Sequence, residues 1–322
     1  MGTDVGAEAS GDTCAAPTLN GGGDTRAVFR PWRSFPTMVL AGLIVGVALG
    51  DRLVFATQIA TVALIVAMTL ALTEIRFQGL SMGSEARAFA PAVFWNYVVL
   101  TGIILGFAAF TTEPDLRNGW VVMAAVPSAI AVVPLASIVK GNVRSVLVSS
   151  ALLYLLALVL VPAITLSFAG RAVPPADVAV QTFLQIGVPL LASRVLVRIP
   201  AIQTVRRVGV NVSFFVLMTM VVGGNRIAFA DPGLVLSLVG AALLRTFGIG
   251  LGALGLARLA RRPREDRVAW TLFGSFKNGG LTALLALFLF GAKAAIPAIV
   301  CLLFEILWLS AIPVIFRDRP AV

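Results

Sequence analysis

The sequence predicts an all-α polytopic membrane protein. Its ten transmembrane helices form two inverted five-helix repeats, with helices four and nine broken where they cross. Three observations predict this. Of 322 residues, 59% are apolar and 12% charged, with a mean hydropathy of +0.97; soluble domains run at about 45–50% apolar and about 25% charged. The chain divides at its charged and Gly/Pro clusters into ten apolar stretches of roughly bilayer-spanning length. The basic residues between the stretches alternate in a sense that fixes one orientation.

Residues 1–33 are rich in Gly, Asp, Thr and Ala. Asp4, Glu8 and Asp12 stand where a cleavable signal would carry positive charge, so this segment is read as a disordered cytoplasmic tail. The ten stretches follow as Phe35–Leu53, Phe55–Ile75, Phe89–Phe110, Gly119–Val139, Ser145–Phe168, Asp177–Val197, Val208–Ile227, Gly233–Leu256, Val268–Phe290 and Ala294–Phe316. With a cytoplasmic N-terminus the inside receives 18 Lys and Arg residues and the outside 5, as the positive-inside rule requires. Both termini are therefore expected in the cytoplasm of a cell whose inner (plasma) membrane holds the chain. Shifting the sequence by 150 residues sets Arg117 on Arg267, Trp120 on Trp270 and Gly141 on Gly291. The halves, 34–170 and 171–322, then hold five stretches each. An odd number forces opposite orientations, the inverted repeat typical of secondary transporters.

Composition also excludes several classes. A net charge of +10 and a pI near 11.1 would suggest nucleic acid in a soluble chain. Here the charge sits at the ends of apolar stretches and reads as topology, so the expected partner is the lipid bilayer and no nucleic acid. There are no histidines, and Cys14 and Cys301 alone make neither a metal set nor a disulfide framework, so no metal or cofactor is expected. No phosphate-binding glycine loop, GxSxG or Cys/His pair is present, which argues against ATP-driven transport and against an enzyme. The basic run from Arg258 to Arg267 reads as a topology anchor that could also touch anionic lipid.

Chemistry concentrates in two stretches. The fourth contains Pro127, Ser128 and Pro134; two prolines seven residues apart each remove an amide donor. Its repeat partner in the ninth reads Phe276-Lys277-Asn278-Gly279-Gly280, and each mid-membrane Gly lowers helix stability by about 1 kcal/mol relative to Ala. Breaks at matching places in two repeats point to a binding site at the membrane midplane, whereas ordinary kinks would leave no such pairing. Arg245, Lys277 and Glu305 lie near the middle of their stretches. A charge there costs about 2.5–3.5 kcal/mol and normally has a partner. One acid and two bases leave a surplus positive charge, which suits an anionic substrate. Lysine, unlike arginine, can release its proton when desolvated, which leaves proton coupling open. The structural alternative is a fixed bridge from Glu305 to Lys277 or Arg245 that only holds helices together. Asn96, Tyr97 and Asn278 would add hydrogen bonds.

These residues resemble the bile acid:sodium symporter family, within the larger group of arsenite and auxin-type carriers. Val126-Pro127 through Lys140-Gly141-Asn142 is similar to that family's fourth-helix crossover, and Lys277-Asn278-Gly279-Gly280-Leu281 to its ninth-helix Gln-Asn-(small)-Gly-Leu motif. The resemblance implies a panel of segments one, two, six and seven against a core of three to five and eight to ten, with substrate bound between them. The chain departs from the pattern at informative places. Val132 and Val133 stand where the family carries Ser-Asn, Phe273 where it has a sodium-binding Glu, and Lys277 where it has Gln. This argues against sodium coupling at those positions, with Lys277 taking the part of the missing cation. The expected function is a secondary transporter, a divergent symporter relative, moving a small organic anion by alternating access. Lys277, Asn278, Gly279, Pro127, Ser128, Pro134, Asn96 and Arg245 would bind substrate, and Lys277 with Glu305 would couple ions. A metalloid exporter is the first alternative, since Glu305 resembles a buried glutamate of arsenite carriers, although Cys301 is in the wrong segment for their cysteine. A non-transporting membrane receptor on the same fold is the second.

Overall fold

The computed structural model describes residues 32, 34–74, 89–170, 173–224 and 232–317. The tail expected at 1–33 lies outside the described residues except for Trp32. Every regular element among the described residues is helical.

The first half contains α1 (Phe35–Leu49), α2 (Ala56–Leu72), α3 (Phe89–Phe110), α4 (Pro114–Ala125), α5 (Val132–Ile138) and α6 (Val143–Ala169). The second contains α7 (Pro175–Leu196), α8 (Pro200–Gly224), α9 (232–259), α10 (Arg264–Phe273), α11 (Gly279–Phe290) and α12 (Ile296–Ile315). Six of the described helices are long and apolar enough to cross a membrane: α3, α6, α7, α8, α9 and α12. The α1 and α2 helices are apolar but only 15 and 17 residues long. The fourth and ninth stretches are each two half-length helices, α4 with α5 and α10 with α11, and so neither contains a single spanning helix.

Start and stop signals explain most boundaries. Proline occupies the first or second position of α1, α4, α7 and α12, where its missing amide has no helical partner to lose. Asn142 caps α6 by accepting from the Ser145 amide at 3.0 Å. The α8 helix starts at Pro200, eight residues before the apolar stretch, because a charge cluster does not by itself end a helix. Arg206, inside that extension, reaches Glu74 beyond the end of α2 at 3.4 Å.

Three helices carry a widened π turn: Phe94–Leu100 in α3, Phe183–Gly187 in α7 and Leu244–Gly248 in α9. Such turns are rare and often mark functional sites. Those in α3 and α9 begin 150 residues apart, and α4 and α10 also start 150 residues apart. Each π turn holds a fully buried polar side chain: Asn96, Gln185 and Arg245.

Packing sorts the helices into two neighbourhoods. The α8 helix lies along both α1 and α2, and α7 packs on α2. Separately, α4 packs on α3, α6 and α11; α12 packs on α11 and the first half of α9; and the second half of α9 packs on α10. Close approach depends on small residues, as it does wherever lipid supplies no hydrophobic drive between helices. Gly42 and Gly46 of α1 face the Phe215 and Thr219 carbonyls of α8, and Thr219 Oγ1 donates to the Gly42 carbonyl at 3.2 Å. On α4, a Cβ at Gly119 would collide with the Ala294 carbonyl oxygen in the turn before α12. Gly119→Val is therefore expected to lower stability by about 1–3 kcal/mol through overpacking, read as a drop in melting temperature of the purified protein. An unchanged melt would mean that this turn can move aside.

Candidate functional site

The site is built from two chain breaks, residues 126–131 between α4 and α5 and residues 274–278 between α10 and α11. Pro127 falls in the first break. Pro134 lies in the opening turn of α5, where it costs no helical hydrogen bond. The second break ends at Asn278, whose side-chain oxygen accepts from the Leu281 amide at 3.0 Å and caps α11. Gly279 and Gly280 therefore open a helix and do not interrupt one. The breaks touch each other: the Asn278 amide donates to the Pro127 carbonyl at 2.9 Å.

A second tie runs through α6. Tyr154 donates to the Ser128 carbonyl at 3.0 Å and accepts from Asn278 Nδ2 at 2.7 Å. The same Nδ2 lies 3.3 Å from the Met68 sulfur of α2, so the crossing point abuts the neighbourhood formed by α1, α2, α7 and α8. Gly280 faces Phe214 and Leu217 of α8 in the same way. Tyr154→Phe is expected to leave the Ser128 carbonyl without its donor and to cost about 1–2 kcal/mol, measured as a thermal shift. No shift would show that water or a neighbouring donor replaces the hydroxyl.

Lys277 is fully buried. Its ammonium has four oxygens within hydrogen-bond distance for its three N–H groups: Val126 O at 2.8 Å, Thr101 Oγ1 at 3.0 Å, Ala124 O at 3.0 Å and Asn96 Oδ1 at 3.3 Å. It also stands 4.7 Å from the centre of the Tyr97 ring. This is a shell of oxygens at the C-terminal end of α4, where unpaired carbonyls and the helix dipole favour a cation. The π turn of α3 delivers Asn96 and Tyr97 to it, and Asn96 Nδ2 donates in turn to the Phe273 and Phe276 carbonyls beside the second break. Thr101, one turn further along α3, donates to Ala124 O at 2.7 Å.

Glu305 of α12 pairs with Arg245, not with the Lys277 ammonium. Arg245 Nη2 reaches Glu305 Oε1 at 2.5 Å, and the Lys277 backbone amide donates to that same oxygen at 3.1 Å. Both members of the pair are buried. Two basic side chains and one acidic side chain thus share the interior of the crossing region. Nearby, Trp308 Nε1 donates to Ser275 Oγ at 2.9 Å and fixes the second break against α12. Two buried hydroxyls at the crossing, Ser128 Oγ and Tyr97 OH, have no hydrogen-bond partner among the described residues.

Of the residues expected from the sequence, Lys277, Asn278, Gly279, Pro127, Ser128, Asn96, Arg245 and Glu305 all lie at or beside the crossed breaks. Thr101, Tyr154, Met68, Ser275 and Trp308 were not foreseen. Tyr154 carried a signal: it is one of only 2 tyrosines, both in mid-stretch, and a buried phenol needs a polar partner. The main-chain oxygens of Ala124 and Val126 carried none, because backbone atoms leave no trace in side-chain pattern.

A sequence model of the SBF-like CPA transporter family (DUF4137) matches residues 37–317, from within α1 to the end of α12. No curated protein matches the chain.

Proposed function

We infer the function from one premise: the chain belongs to the SBF-like CPA transporter family, and is therefore a membrane transporter and not an enzyme. We propose that it is a secondary carrier that moves a small organic anion across the inner (plasma) membrane by alternating access. In this reading ten segments form two inverted repeats with both termini cytoplasmic. The shared 150-residue offset of the π turns and of α4 and α10 supports the repeat. The group α1, α2, α7 and α8 acts as a panel, and the remaining helices form the core that moves against it. Substrate binds where Asn278 and Gly280 meet Met68, Phe214 and Leu217, since those contacts must part for the two groups to separate.

The observation that carries the anion is the composition of the crossing. It has one more buried basic side chain than acidic and two buried hydroxyls, Ser128 and Tyr97, that lack partners among the described residues and can donate. Lys277 serves as a cation tethered to the protein, so sodium is not required at that position. Release of its proton would be the route to proton coupling.

The test is thermal melting of the purified protein against a panel of small organic anions, in sodium and again in potassium buffer, followed by flux of any hit in proteoliposomes. A ligand at 100 times its Kd adds about 2.7 kcal/mol, which a melt resolves easily. The expected result is an acid that stabilises equally in both salts and is then transported. Stabilisation only in sodium, or by no organic anion at all, would overturn the proposal.

A further inference from the structure

The second break is backed by a groove on the outer surface of the helices. It measures about 320 Å³, is almost wholly apolar, and is lined by Ala90, Pro91, Phe94 and Trp95 of α3, Leu256 of α9 and Trp270 of α10. Phe94 and Leu256 are about half exposed, an unfavourable place for large apolar side chains unless something apolar covers them. The two tryptophan rings pack against each other in the groove wall, their centroids 5.6 Å apart.

One end of the groove is basic. The turn from α9 to α10 closes with Arg261 in the left-handed region at φ 52° and the Arg262 amide bonded back to the Ala257 carbonyl. This reversal sets the Arg262 guanidinium over the Trp270 ring, 5.4 Å from its centre. Residues 258–267 hold five arginines against Glu265 and Asp266. Glu265 is engaged by Asn142 Nδ2 at 3.2 Å, and Asp266 lies only loosely against Arg262, at 3.9 Å. Arg264 is turned inward to the Val139 and Phe316 carbonyls. Arg258, Arg261 and Arg262 are exposed.

We propose that this groove is a binding site for one anionic phospholipid, its acyl chain along Phe94, Trp95 and Leu256 and its phosphate at Arg262, with Arg258 and Arg261 adding to the local field. An apolar groove in a membrane protein is met by lipid chains, tryptophan marks the headgroup boundary, and the arginine cluster selects a negative headgroup by charge complementarity. The site bears on the carrier's centre. Trp95 precedes Asn96, whose side chain holds the Lys277 ammonium, and a Cβ on Gly274 at the start of the second break would lie 3.2 Å from the Trp95 ring. A chain seated in the groove therefore stiffens the outer wall of the break. The inference does not depend on which solute is carried.

The test uses the full chain reconstituted in phosphatidylcholine vesicles. Tryptophan fluorescence is quenched by adding phosphatidylglycerol or phosphatidylcholine with brominated acyl chains. The expected result is quenching at lower mole fraction by the anionic lipid, a preference that shrinks with added salt. Arg262→Gln should reduce that preference about five-fold, whereas Arg262→Lys keeps most of it. Ala90→Leu, which fills the groove, should weaken quenching by both lipids. Equal quenching by the two headgroups, or an undiminished preference in Arg262→Gln, would overturn the proposal and leave only ordinary contact with surrounding lipid.

Discussion

Lys277→Met is expected to abolish saturable anion transport and to cost about 2 kcal/mol of stability. The substitution keeps the aliphatic stem and removes only the ammonium. Thr101 continues to donate to Ala124 O, so that carbonyl stays satisfied. Val126 O and Asn96 Oδ1 lose the ammonium donor that each has in the structure. Each orphaned buried acceptor costs about 1–3 kcal/mol, partly offset because a desolvated charge no longer has to be held inside the protein. Lys277→Gln keeps a donor on a shorter stem and should melt between the Lys277→Met variant and the wild-type protein. Thermal melts and proteoliposome flux of the two variants separate the roles. Wild-type flux with unchanged ion dependence in Lys277→Met would make Lys277 a structural spacer.

The parts of this molecule legible in its sequence are those set by hydropathy and by backbone-special residues. The six strongly apolar helices, the buried Arg245, Lys277 and Glu305, and the Pro127 and Gly279-Gly280 signals all follow from side-chain identity. The finer geometry did not follow. Gly279-Gly280 reads as a helix weakness, yet Asn278 caps a helix that starts there, and only the local hydrogen bond distinguishes the two. Which base pairs with Glu305 was equally open, since Arg245 and Lys277 both lie at mid-depth. Arg245 makes the pair from the π turn of α9, a local widening that no periodicity reveals. The charge cluster near 206 and 207 marked a helix start wrongly, because a helix can run on through charged residues, as this one does from Pro200.

The larger stability effect belongs to Glu305→Gln, expected to cost about 3–5 kcal/mol. The amide can still accept from the Lys277 backbone, so the hydrogen bond survives while the charge disappears. Arg245 then keeps only neutral side-chain partners, the retained amide oxygen, Thr246 Oγ1 at 3.2 Å and the Cys301 side chain, with Lys277 in the same region. Two like charges without a counter-ion is the least favourable state available to this site. Arg245→Met alone leaves the carboxylate with the Lys277 amide and should be less damaging, because Glu305 and Lys277 remain of opposite sign. The double variant Arg245→Met with Glu305→Leu replaces the pair by apolar groups of similar size. It should be more stable than Glu305→Gln, since breaking a buried pair costs more than deleting it. A double-mutant cycle read by melting gives the coupling, and flux of the double variant decides what the pair is for. Retained transport makes it a clamp between α9 and α12. Lost transport at recovered stability means that the carboxylate balances Lys277 during the transport cycle, where no apolar substitute can serve.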